Sequence, residues 1–307
     1  MSKKVLRTIF SLIVFGLFFY FLFQEWPNIK TLRITNYSYL LMLIPGYFLF
    51  ICINGLLYKY ALLPFGYKTS VELGLITSFV GSIGNIFLPL KGGLVGSGIL
   101  YQRWAGVPLV VFAVATAALQ IAVFWLTSLL GWVLLMLLGD TFPETDGIIH
   151  LAFLGLSLGI PLFFIVNKIS NKYWEKYLPK VVNNGLSGLQ KMISSPEFFF
   201  VIGLTFLNLL VLAFNIYASL RAIGTEVDFM KTLASGVFSS FSVLLSLTPS
   251  GLGIREAFLF FSSKAFDIPT LPLVMTGVLD RVMTILVSVL FLLFSQRRIK
   301  YLINKTN

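Results

Sequence analysis

Charge is scarce in this chain. Only 11% of its 307 residues are Asp, Glu, Lys or Arg, against about 25% in a soluble domain. That deficit excludes a water-soluble globule. Cysteine and histidine occur once each, so no intrachain disulfide can form and no cluster has metal-ligand spacing. Cys52 lies inside an apolar run and His150 at the edge of another, which makes them a packing residue and an interfacial one. Acidic residues number 12 against 23 Lys and Arg, a net charge of +11. The basic residues concentrate at the ends of apolar segments, the mark of membrane topology and attraction to anionic headgroups rather than of a nucleic-acid partner. There is no nucleophile elbow and no Walker loop, and no cofactor is expected.

Long apolar runs are what the chain has in abundance. Hydrophobic residues make up 57% of it, 31 of them Phe, and the mean hydropathy is +0.91. The composition predicts an all-α polytopic membrane protein, a single membrane domain over 1–307. Runs of about 20 residues suffice to cross a bilayer. They occur at Thr8–Phe23 after a basic start, Tyr39–Tyr58 with Pro45 inside it, Val107–Leu138, Ile148–Val166, Phe198–Leu220 and Leu271–Ser295. Two further runs, Val71–Leu90 and Thr232–Lys264, are interrupted by proline and glycine. The polar stretch 168–197 interleaves Lys168, Lys172, Lys176, Lys180 and Lys191 with aromatic and aliphatic residues. It reads either as an amphipathic helix on an anionic membrane face or as a solvated connector with helical character.

The basic residues decide the topology. If both interrupted runs crossed fully, the lysine-rich 168–197 loop would lie outside and the acidic 139–147 loop inside, against the positive-inside rule. If each instead enters, breaks and returns, 15 of the 23 Lys and Arg fall inside and five outside, with Lys91, Arg255 and Arg281 left at membrane depth. This arrangement gives about six full spans plus two re-entrant broken-helix hairpins, with both termini cytoplasmic at an inner membrane. It also exposes a repeat. A shift of 160 residues places Pro89 on Pro249, Gly93 on Gly253, Thr116 on Thr276 and Gln120 on Asp280. The halves, roughly 1–138 and 148–307, are then related by inverted topology, as in many secondary transporters.

The candidate site lies at the hairpin breaks. Around Thr248, Pro249, Gly251 and Gly253 the backbone cannot continue as a lipid-facing helix, and such backbone survives only inside protein or beside a wet cavity. The helix that starts near Ile254 has free N–H groups at its first turn, a natural anion site. Arg255 adds a planar cation suited to phosphate or carboxylate. Glu256 and Asp280 can hold that arginine or meet a cationic headgroup, and Asp280-Arg281 lies well inside the last span. Charges at this depth require ion pairs across the hairpin. The four residues either lock the hairpin, contact a substrate, or do both. Lys91 takes the equivalent place in the first half, as a site residue or as a lysine reaching for an interface. Asn85 and Gln120 either line the same cavity or bond between helices.

At Leu88-Pro89-Leu90-Lys91-Gly92-Gly93, at Thr248-Pro249-Ser250-Gly251-Leu252-Gly253-Ile254-Arg255-Glu256 and at Asp280-Arg281 the chain resembles the membrane region of the lysylphosphatidylglycerol synthases. That region also occurs as a free-standing flippase-like family. The resemblance follows segment order over nearly the whole chain. It implies movement of a modified phospholipid, or of a related lipid carrier, between leaflets. In the synthases a separate soluble domain attaches the amino acid; this chain ends soon after its last span and is not expected to perform that transfer. The first hairpin departs from the family pattern. Lys91 stands near the family's arginine, Gly93 near its glutamate, and the acidic–basic pair expected around Gln120-Ile121 is missing, so the first half-site carries less charge.

The expected function is therefore binding of an anionic or zwitterionic phospholipid headgroup, or a polyprenyl-type carrier, between the two hairpins, with help in crossing the bilayer. Lys91, Thr248, Pro249, Gly251, Gly253, Arg255, Glu256, Asp280 and Arg281 form the expected binding set. A separate lipid-modifying enzyme is a possible partner. Two other classes fit the sequence less well: a membrane transferase acting on a lipid-phosphate-linked substrate, with Glu256 or Asp280 as base, and a membrane anchor for a partner enzyme working through 168–197.

Overall fold

A computed structural model describes residues 33–88, 91–138, 146–169, 180–243 and 253–306. The first expected span, Thr8–Phe23, lies outside the described residues, as do Pro89, Thr248, Pro249 and Gly251. The protein is all-α, and among the described residues there is no strand. The helices are α1 Tyr37–Leu62, α2 Val71–Phe87, α3 Gly92–Ala105, α4 Leu109–Leu138, α5 Asp146–Ile169, α6 Lys180–Ile193, α7 Glu197–Ala222, α8 Phe229–Ser240, α9 Ile254–Ala265, α10 Thr270–Phe294 and α11 Gln296–Thr306.

Local chemistry fixes several of the ends. The Asn36 side chain accepts from the Ser38 N–H at 3.1 Å, Ser70 Oγ from the Leu73 N–H at 3.1 Å, and Asp228 from the Met230 N–H at 2.7 Å. Each satisfies a first-turn donor that the helix itself leaves unpaired. α1 continues through Pro45 and ends in a 3-10 turn, Leu63–Phe65, closed by Gly66 at φ 89°.

Among the described residues four helices are long and apolar enough to cross a membrane: α1 with its 3-10 extension, α4, α7 and α10. Their outer faces are what a lipid environment requires. Phe199 is 81% exposed, Phe294 89%, Leu137 74% and Val110 72%, a load of exposed apolar surface that water would not tolerate. The two interrupted runs are indeed broken. α2 stops at Phe87 and α3 starts at Gly92; α8 ends in a 3-10 turn at Phe241–Val243 and the next described helix is α9. The order long, short, short, long occurs twice. Helix starts at 37, 71, 92 and 109 recur at 197, 229, 254 and 270.

The chain forms two compact units. One takes its described residues from 33–51, 79–96 and 209–295, the other from 52–78, 97–208 and 296–306. In the first, α9 packs against α8 and α10. Its core includes Leu43, Phe79, Ala213, Ile216, Val237, Leu259 and Leu273, with Phe79 stacked on Phe291 at a centroid distance of 3.9 Å. In the second, α4 packs against α5 and α6. There Tyr101, wholly buried, meets Tyr58 and Phe112 in an aromatic cluster. The described part of the lysine-rich stretch is a helix seated on α4 through Leu189 and Met192.

Candidate functional site

In the first unit the second broken hairpin meets the last long helix through four charged side chains. The turn into α9 rests on Gly253, whose φ of 80° is a backbone state that side chains disfavour. Three residues on, Glu256 Oε2 accepts from the Gly253 N–H at 2.7 Å, so the helix start is capped by its own carboxylate. The first-turn anion position that the sequence offers to a ligand is thus partly filled from within.

On α10, Gly277, Asp280 and Arg281 stand three and four residues apart and share one face. Glu256 Oε1 receives Arg281 Nη2 at 2.5 Å, and Arg281 Nη1 donates to the Gly277 carbonyl at 3.0 Å. Gly277 makes room for this, since a Cβ there would sit 3.2 Å from Glu256 Oε1. Arg255, one residue before Glu256, donates through Nη1 to Asp280 Oδ2. Two adjacent residues of α9 therefore pair with two adjacent residues of α10, each cation with an anion. The side chains are 18% and 15% exposed in the first pair and 12% and 6% in the second. From α1, the hydroxyl of Tyr47, 3% exposed, lies against the Asp280 carboxylate and near Arg255. The sequence gives no local sign of that approach, because Tyr47 is one of many aromatic residues in apolar runs.

The first hairpin contributes its tip to the same unit. Asn85 Oδ1 accepts from the Leu94 N–H at 3.2 Å, which ties the end of α2 to the start of α3. Gly93 lies in the contact between them; a Cβ there would be 1.9 Å from the Gly81 carbonyl oxygen and 2.4 Å from the Asn85 nitrogen. Lys91 holds the turn with φ 55°, unusual for a residue with a side chain, and its carbonyl accepts from Leu94 and Val95 at 2.8 and 3.3 Å. Strained backbone of this kind clusters at functional sites. Lys91 is half-buried, and among the described residues nothing forms an ion pair or hydrogen bond with its ammonium.

The structure thus brings Arg255, Glu256, Asp280 and Arg281 together around Gly253, and puts Lys91 in the same compact unit. The four-residue cluster is neutral in sum. Lys91 has no ion-pair partner among the described residues. Of the polar pair in the first half, Asn85 serves the hairpin itself, and Gln120 lies in the other unit.

This is an integral membrane protein of long apolar helices and two broken helical hairpins, with ion pairs buried at the second break. The lysylphosphatidylglycerol synthase TM region family model matches residues 8–291, and the chain belongs to that family. No curated protein and no solved structure matches it.

Proposed function

We propose that the protein binds the phosphate-bearing headgroup of a membrane lipid in the unit that holds Lys91 and the Arg255–Asp280 pair, and helps that lipid change leaflets. The observation that carries this reading is the charge arrangement. Both arginines of the second half are matched by carboxylates, whereas Lys91, at a strained helix break, is matched by none among the described residues. A half-buried, unpaired cation is costly, and an anionic phosphate is a ligand that relieves the cost. Arg255 keeps guanidinium donors beyond the one given to Asp280 and supplies a second contact, while Asp280 and Glu256 hold the two arginines in place. A headgroup carrying an amine besides its phosphate meets the Asp280 carboxylate.

The recurrence of four helix starts after about 160 residues supports an inverted repeat, the architecture in which rocking of one half against the other exposes a midplane site alternately to each side. Both termini are assigned to the cytoplasmic side by the distribution of Lys and Arg. The functional test is reconstitution of the purified protein into vesicles with a headgroup-labelled anionic phospholipid and measurement of its movement between leaflets. Lys91→Ala is expected to abolish protein-dependent movement, and Lys91→Arg to retain much of it. Equal rates in wild type and Lys91→Ala contradict the reading.

A further inference from the structure

The second unit holds a cavity of about 550 Å³ between α4, α5 and α6, within the range of ligand sites. Its body is apolar. Ala118 and Ala122 keep one wall open because their side chains end at Cβ, and Ile121, Trp125 and Pro161 are among the other apolar lining residues. The indole of Trp125 is fixed there, since its Nε1 donates to the Ser157 carbonyl at 3.0 Å, which leaves the ring itself as apolar lining. One end differs. Gln190 and Lys191 of α6 reach the cavity; among the described residues Gln190 Nε2 is buried with no hydrogen-bond partner, and the Lys191 ammonium stands over the face of Phe65, 5.9 Å away. Both are donors: the exposed Lys191 ammonium marks the open end of the cavity, and the buried Gln190 amide costs free energy until an acceptor arrives.

An apolar shaft ending in a cation and an amide donor has the polarity of an anionic amphiphile. We propose that this cavity is a second lipid site, in which one acyl chain of an anionic glycerophospholipid fills the shaft and its phosphate accepts from Lys191 and Gln190. The site is separate from the headgroup site of the other unit and does not depend on that reading. α6 forms it by docking. Gly188 sits where a Cβ would be 2.4 Å from Val114 Cγ1, so the helix approaches α4 closely at that point, and the cavity opens along the next turn.

The test uses the full chain in detergent with dioleoylphosphatidylglycerol or dioleoylphosphatidylcholine as probe, read by native mass spectrometry. Wild type is expected to retain one phosphatidylglycerol in preference to phosphatidylcholine. Ile121→Trp, which fills the shaft, and Lys191→Glu, which reverses the charge, are each expected to lower that retention by about tenfold, the loss of one charge-assisted contact. Gly96→Ala, where an added Cβ meets nothing within 4 Å, is expected to leave it in place. Unchanged retention in both cavity variants, or an equal loss in Gly96→Ala, overturns the proposal. A photoactivatable-acyl phosphatidylglycerol on the wild-type protein gives a measurement that needs no variant to fold. Crosslinks mapping to the α4 and α6 walls support the site, and crosslinks confined to 79–96 and 253–295 overturn it.

Discussion

Arg255 and Asp280, 25 residues apart, form an ion pair between α9 and α10 with less than a fifth of either side chain exposed. Removing one partner leaves a buried charge without compensation, which costs about 3–5 kcal/mol. Asp280→Asn should therefore lower the thermal midpoint of the detergent-solubilised protein markedly. The double change Arg255→Met with Asp280→Leu should recover most of that loss, since apolar replacement of a whole buried pair is often neutral or stabilising. A double variant that folds but moves no lipid assigns the pair a substrate role beyond locking. No recovery of stability in the double variant contradicts the pairing as described.

Glu256 serves two partners at once, the Gly253 N–H through Oε2 and Arg281 through Oε1. Glu256→Ala strands both and should cost more than Glu256→Gln, whose remaining carbonyl can still satisfy one. An unsatisfied buried group costs about 1–3 kcal/mol, so the two variants should separate clearly in chemical or thermal unfolding. Identical midpoints would show that only one of the two contacts matters.

The first hairpin offers a matched pair of glycines. A Cβ at Gly93 meets backbone of α2 at 1.9 Å, whereas one at Gly96 meets nothing within 4 Å. Gly93→Ala should destabilise by about 1–3 kcal/mol, the usual cost of overpacking, and Gly96→Ala should be close to neutral. Similar behaviour of the two would contradict the close approach of α2 and α3.

These residues also show where sequence reasoning reaches its limit. The long helices were legible because each is a continuous apolar run of bilayer length, and the breaks because Pro and Gly interrupt such runs. The charges at the second break could be recognised as pairing, since unpaired ions at membrane depth are too costly. Their partners could not. Arg255 and Glu256 are neighbours, as are Asp280 and Arg281, and only the rotation of α9 against α10 decides which meets which. The approach of Tyr47 to Asp280 is likewise a contact between distant segments, invisible to local periodicity. The tail after Ser295 reads as a short basic stretch but forms α11, whose Arg298 pairs with Glu72 at 3.1 Å. Its helical character comes from a periodic separation of apolar and basic residues that a count of charges overlooks. The dense glycines near Lys91 marked a break, yet the contrast between Gly93 and Gly96 emerges only once both helices are in place.

The proposed function makes Lys91, which has no ion-pair partner among the described residues, the main contact of the lipid phosphate, with Arg255 as the second. Its most direct measurement is the rate of headgroup-labelled phospholipid movement between leaflets of vesicles containing wild type, Lys91→Ala or Lys91→Arg, each verified as folded by its thermal midpoint. Lys91→Ala should keep the wild-type stability within about 1 kcal/mol, as expected for a side chain with no ion pair or hydrogen bond among the described residues, while losing lipid movement, and Lys91→Arg should restore much of it. Wild-type rates in folded Lys91→Ala would contradict the proposed function.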